Sequence, residues 1–106
     1  MRHLNPKQLQ EYLKTREPAP LLLDVREPWE FEICAMEGVR LIPMNQIPTA
    51  CEELDQGQEI VIICHHGIRS RQVGYYMEHM EFTDLINLSG GVDAWALEVD
   101  PEMTRY

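Results

Sequence analysis

Cys64-His65-His66-Gly67-Ile68-Arg69-Ser70 places a thiol, two imidazoles, a guanidinium and a hydroxyl on consecutive residues. The apolar run Ile60-Val61-Ile62-Ile63 leads straight into the cysteine, so the thiol stands where a strand stops and the backbone has to turn. Three chemistries fit such a residue: inert packing, metal ligation, or attack by a thiolate. Gly67 supplies the permissive backbone for the reversal. If a helix starts near Ser70, amides from Gly67 onward lack helical partners and point back over the loop, forming an anion cradle at the positive end of the helix dipole. A sulfur in that cradle is held as an accessible thiolate, and Arg69 adds fixed positive charge. The metal reading is weaker, because adjacent side chains diverge and zinc sites usually space their ligands. His3 and His79 show no ligand pairing either, so no metal is expected. His65 and His66 are read as loop-wall residues, in contact with substrate or simply exposed.

The surrounding pattern supplies the elements that would hold this loop. Asn5-Pro6 starts a helix that runs to about Thr15, with Asn as cap and Pro at the first helical position. Leu21 to Val25 reads as a buried strand, followed by a short helical turn anchored by Trp29 and Phe31. Val39 to Ile42 reads as a second strand halted by Pro43, and a helix covers roughly Gln46 to Leu54. Glu59 to Ile63 feeds Cys64; Ser70 to about Met80 is helical, with Val73, Tyr76, Met77 and Met80 as its apolar stripe. Thr83 to Leu88 is the last strand, and a short helix after Gly90-Gly91 carries Val92 and Trp95. The tail from Asp100 is weakly patterned and expected to fray. Strands that are continuous apolar runs, alternating with helices, argue for an α/β domain with a mostly parallel sheet covered on both faces.

The 106 residues suffice for one domain and one core. A net charge of −9 disfavours nucleic acid and anionic membranes as partners. No apolar run is long enough to span a bilayer, and the first residues lack a secretory pattern, so a cytoplasmic location is the default expectation. Cys34, Cys51 and Cys64 form an odd set, which argues against a disulfide framework. Cys34 and Cys51 are read as small hydrophobes.

Four segments in order then resemble the single-domain rhodanese (sulfurtransferase) family over nearly the whole chain. They are Leu22-Leu23-Asp24-Val25-Arg26-Glu27, Gly38-Val39-Arg40-Leu41-Ile42-Pro43, the Cys64 to Ser70 loop, and Gly90-Gly91-Val92-Asp93-Ala94-Trp95. Cys34-Ala35-Met36 departs from the family's G-H-I. The resemblance implies a single rhodanese-like three-layer α/β domain over residues 1–106, with a mostly parallel sheet of about four or five strands and helices on both faces. It implies that Cys64 accepts a sulfane sulfur from thiosulfate or a similar donor as a persulfide. A thiol, a protein cysteine or cyanide then removes that sulfur, without a cofactor. His65, His66, Gly67, Ile68, Arg69 and Ser70 become the substrate-binding loop, with Arg69 helping to hold an anionic donor. Asp24 and Arg26 line the same pocket or, as the favoured reading, tie the loop together.

Related phosphatase and arsenate reductase loops place one more residue between cysteine and arginine than separates Cys64 from Arg69. The shorter loop suits a sulfane sulfur better than a tetrahedral phosphoryl group. Two rival readings keep the fold: a protein-to-protein persulfide carrier whose acidic surface selects a basic partner, and a catalytically idle interaction module.

Overall fold

The computed structural model describes all 106 residues. Five parallel strands form one sheet in the order β1 (Arg2–Leu4), β5 (Leu85–Leu88), β4 (Ile60–Ile63), β2 (Leu21–Asp24), β3 (Arg40–Leu41). All four residues of β4 are fully buried, as a central parallel strand covered on both faces requires. Alternation along β4 divides the core between those faces. Ile60, Ile62 and Cys64 join one apolar cluster; Val61 and Ile63 join the other.

Helices cover both faces. α4 (Ile68–His79) brings Val73 and Met77 to the Cys64 side, where α3 (Ile47–Ala50) adds Ile47. α1 (Pro6–Thr15) and α5 (Gly91–Glu98) bring Leu9 and Val92 to the opposite side. α1 starts at a complete capping box: the Asn5 side chain accepts from Gln8 N at 2.8 Å, and Gln8 Oε1 accepts from Asn5 N at 2.9 Å. The architecture is the three-layer α/β arrangement expected, with every strand pairing parallel.

Several boundaries differ from the sequence reading. β1 was not expected; it is a three-residue, mostly exposed edge strand, too short to carry a period-2 signal. α4 begins at Ile68 rather than Ser70, because Gly67, at φ +91°, takes the whole reversal itself. Pairing in β3 is confined to Arg40–Leu41, with Ile42 N donating once more to Asp24 O before Pro43. The helix expected over Gln46 to Leu54 is a 3₁₀ turn at Met44–Gln46 and a single α-helical turn at Ile47–Ala50, followed by turns. The tail is not left free. Met103 N closes a turn onto Asp100 O, Arg105 pairs with Asp93, and Tyr106 lies against the loop after β4. No helix is long and apolar enough to cross a membrane.

Candidate functional site

The carboxyl ends of β2, β4 and β5 bring Asp24, Cys64 and Gly90 to one edge of the sheet, where open α/β sheets bind their ligands. Cys64 Sγ accepts from Gly67 N at 3.0 Å and Ser70 N at 3.3 Å. Its thiol donates to Ser70 Oγ, also at 3.3 Å. Gly67, the N-cap of α4, has no side chain with which to satisfy the first turn, and Ser70 is the third helical residue. The cysteine sulfur therefore occupies the position of a capping oxygen, receiving main-chain N–H groups at the positive end of the helix.

Close backbone approach holds this loop shut. Val92 N donates to Cys64 O at 2.9 Å and Asp93 N donates to His65 O at 3.1 Å, so the first turn of α5 clamps the loop carbonyls. A methyl group on Gly91 would sit 2.4 Å from Cys64 O; one on Gly67 would sit 2.9 Å from Gly90 N. The two glycine-containing segments are thus pressed against each other by necessity, which links two of the four sequence motifs physically.

One expectation is corrected here. Cys64 is only 1% exposed, not openly accessible: its side chain follows the β4 alternation inward, and the loop curls above it. None of the five main surface clefts is lined by residues 64–70. Ile68 and His66 lie on the surface. His65 is half-buried, its ring stacked on Tyr106 at 3.7 Å and its Nε2 2.8 Å from Tyr106 O. Burial and the neighbouring His66 ring push the His65 imidazole below its ordinary value.

Arg69 points to a carboxylate rather than to open solvent. It grips Glu30 with two bonds of 2.7 Å, and its hydrogen bonds hold the Glu30 carboxyl down at about 2 against the resistance of burial. Glu30 sits on α2 (Pro28–Ile33), where its carboxylate also accepts from Glu27 N at 2.9 Å. The Tyr106 hydroxyl donates to Glu30 and accepts from Arg26 Nη1, each at 3.0 Å. Burial is the chief reason the Tyr106 phenol is pushed up to about 12. Arg26 and Asp24 are fully buried and paired at 2.7 Å, and Arg26 also donates to Cys34 O at 2.7 Å and to Glu30 O at 3.3 Å. Burial opposes the Arg26 charge, but its bonds to Asp24 and Tyr106 raise its pKa above the ordinary value. Asp24 and Arg26 therefore act as the tie between segments, and Arg69 reaches the loop as an anchored cation.

The sequence reading missed Glu30, Tyr106 and Asn87. Glu27 and Glu30 at capping-box spacing gave a local signal for the first. Asn87, within the run Leu85-Ile86-Asn87-Leu88, is a polar residue where burial demands a partner. Tyr106 had no signal, since its role depends on the return of the tail.

Comparison with known proteins agrees with this geometry. A family model described as Rhodanese-like domain matches residues 5–98. The chain is 31% identical over 105 residues to a probable adenylyltransferase/sulfurtransferase MoeZ of Mycobacterium tuberculosis, covering 97% of this chain and 26% of that protein. It is 38% identical over 74 residues to a putative sulfur carrier protein YrkF of Bacillus subtilis, covering 70% of this chain and 40% of the relative. The chain thus spans well under two thirds of these curated relatives. The crystal structure of a rhodanese-like domain protein from Staphylococcus aureus superimposes with a TM-score of 0.83 at 27% identity, covering 100% of this chain and 99% of the other.

Proposed function

This chain belongs to the rhodanese-like domain family, and from that premise we propose that it is a sulfurtransferase carrying sulfane sulfur as a persulfide on Cys64. The Cys64 thiolate attacks the outer sulfur of a donor such as thiosulfate. A new S–S bond forms as the donor's S–S bond breaks, and sulfite leaves with the electron pair. A thiol, a protein cysteine or cyanide then attacks the terminal sulfur, and the Cys64 thiolate departs. The observation that carries this reading is the convergence of Gly67 N and Ser70 N on a sulfur at a strand's carboxyl end. Main-chain N–H groups fixed before reaction solvate the developing sulfur anion without reorganising.

Burial of the thiol is compatible with transfer. An S–S bond of about 2.05 Å extends the carried sulfur beyond Sγ, among the main-chain N–H groups of the loop. Arg69 spends its hydrogen bonds and most of its long-range field on the ionised Glu30, so the main-chain N–H groups of the loop carry the attraction for an anionic donor. No step needs a cofactor. Three unpaired cysteines suit a reducing compartment such as the cytoplasm.

A second reading, delivery between proteins with thiosulfate only a surrogate donor, is favoured by the curated relative named as a sulfur carrier. The acidic surface would then select a basic partner. Intact mass spectrometry after mixing with thiosulfate tests the common step. The expected result is a gain of about 32 Da on Cys64, absent in Cys64→Ser. Sulfur retained elsewhere in Cys64→Ser overturns the assignment. Fast uptake from a protein persulfide beside negligible thiosulfate turnover selects the carrier.

A further inference from the structure

Asn87 is a polar residue buried to 3% exposure in the middle of β5, between Ile86 and Leu88, both fully buried. Both ends of its amide find partners, and the orientation of the amide can be assigned. Nδ2 donates to Gly67 O at 3.4 Å and faces His3 Nδ1 at 3.3 Å. Reversing the amide would set its oxygen against the Gly67 carbonyl, acceptor to acceptor, so Oδ1 must face Ser70 Oγ, 2.5 Å away. A carboxamide oxygen only accepts. The single hydroxyl hydrogen of Ser70 therefore goes to Asn87, and Ser70 offers Cys64 only a lone pair.

That lone pair suits a thiol, whose S–H donates to it across 3.3 Å. It does not suit a thiolate or a persulfide anion, which would face a second electron-rich atom. We propose that Asn87 is a positioning residue for Cys64, acting through Ser70: it holds the serine hydrogen away from a protonated sulfur and yields it when the sulfur becomes an anion. In the anionic state the hydrogen turns through one rotation about the serine Cβ–Oγ bond, adding a hydroxyl donor to the two amides on Sγ. Asn87 Oδ1 loses that donor in the process. Asn87 and the sulfur thus compete for one proton, and β5 sets how easily the nucleophile forms.

Other charges around the sulfur fix the baseline on which this competition acts. They are Arg69 on α4 with its partner Glu30 on α2, the Asp24–Arg26 pair after β2, His65 and His66 in the loop, Asp93 on α5, and His3 on β1 behind the amide. Replacing Asn87 by an apolar side chain removes none of these charges, and among these groups only His3 loses a contact.

The test uses the full chain carrying Cys34→Ser and Cys51→Ala, so that Cys64 is the only thiol. Its ionisation is followed by ultraviolet thiolate absorbance as a difference against the same protein with Cys64→Ser. Asn87→Leu is expected to shift the transition toward acid by about one pH unit, because the Ser70 hydroxyl is then free for the sulfur. With Ser70→Ala already present, Asn87→Leu should give no further shift. An alkaline shift, or a shift that persists without Ser70, overturns the proposal. Should Asn87→Leu not fold, the unsubstituted side chain gives the answer. The Asn87 side-chain amide resonances should move with the Cys64 transition, and resonances that stay still through it overturn the proposal. The inference rests on Cys64 as the sulfur carrier, and the two fail separately: absence of the mass gain with thiosulfate refutes that role and leaves the titration readable.

Discussion

Cys64 and Cys51 belong to the same apolar cluster and are nearly equally hidden, at 1% and 8% exposure. Their surroundings differ in direction rather than in depth. Cys64 ends a parallel strand beneath a helix start, with two amides donating to its sulfur and the Ser70 hydroxyl oxygen accepting from its thiol. Cys51 ends the short α3 helix, and its main-chain N–H is spent on Ile47 O. Its side chain lines a cleft of about 550 Å³ with Pro48, Leu54, Tyr76, Met80 and Phe82. Burial alone acts on the Cys51 thiol and pushes it up. The contrast teaches that a low-dielectric site quiets a thiol unless oriented donors are built in beside it. It also explains why this cleft, lined mostly by apolar side chains, is not where the chemistry is proposed.

The sharpest way to break the contrast is to move one donor. Gly67 holds φ +91°, and an added methyl would meet Gly90 N at 2.9 Å and Leu88 O at 3.2 Å. Both neighbours are backbone, fixed by β5 and by the α5 clamp, so the loop itself must shift. In Gly67→Ala the rate of sulfur uptake from thiosulfate, read as the mass gain on Cys64, should fall at least ~10-fold, which corresponds to ~1.4 kcal/mol. Alkylation of Cys51 should stay at the parent rate. An unchanged uptake rate would mean that the amide positions are not what separates the two thiols.

The part of this contrast legible in the sequence was the local part. An apolar run, a cysteine, a glycine and a following helical stripe lie between Ile60 and Met80, so Cys64, its turn and its helix could be read from residue order alone. The Gly90-Gly91 segment could be located but not explained, because its purpose is a tertiary contact with Cys64 O and His65 O. Buried location for the sulfur followed from β4 alternation, yet the polar loop masked it. Glu30 is one of eighteen acidic residues, and beyond its capping-box spacing from Glu27 nothing local marks its role. Its real partners are thirty-nine and seventy-six positions away, at Arg69 and Tyr106. β1 escaped because edge pairing to β5 through three residues leaves almost no hydrophobic period to detect.

A different effect, on stability rather than on rate, comes from the support beneath the loop. Glu30 is 4% exposed on its side chain and anchors Arg69 on α4 to α2, with no counterpart near Cys51. Glu30→Gln keeps the shape but leaves Arg69 and the Tyr106 hydroxyl facing an uncharged amide, and should cost ~3 kcal/mol at neutral pH in urea unfolding. The pH dependence has a definite sign. The carboxyl lies at about 2 in the folded protein against 4.5 ordinarily, so its stabilisation is complete above about 4.5 and is lost as pH falls toward 2. The stability gap between parent and Glu30→Gln should therefore narrow through that window. A gap of constant size would show that the charge on Glu30 is not what matters.

The smallest expected effect falls on the other cysteine. Cys51→Ala removes one sulfur from the wall of an already open cleft, where no hydrogen bond depends on it and only contacts with side chains such as Leu54 and Phe82 are reduced. The loss should be ~1 kcal/mol, seen as a lowered urea midpoint with unchanged slope. Uptake and release of sulfur at Cys64 should match the parent. This variant also tests whether the two thiols communicate, because a Cys51 thiolate that attacked a Cys64 persulfide would form a disulfide and expel hydrosulfide. Release that slows in Cys51→Ala, or a loss of about 2 Da in the parent after loading, would make Cys51 a resolving thiol and erase the distinction between the two sites. Raised by burial and given no donor, the Cys51 thiol lacks the anionic character such an attack needs, and sulfur release should proceed without it.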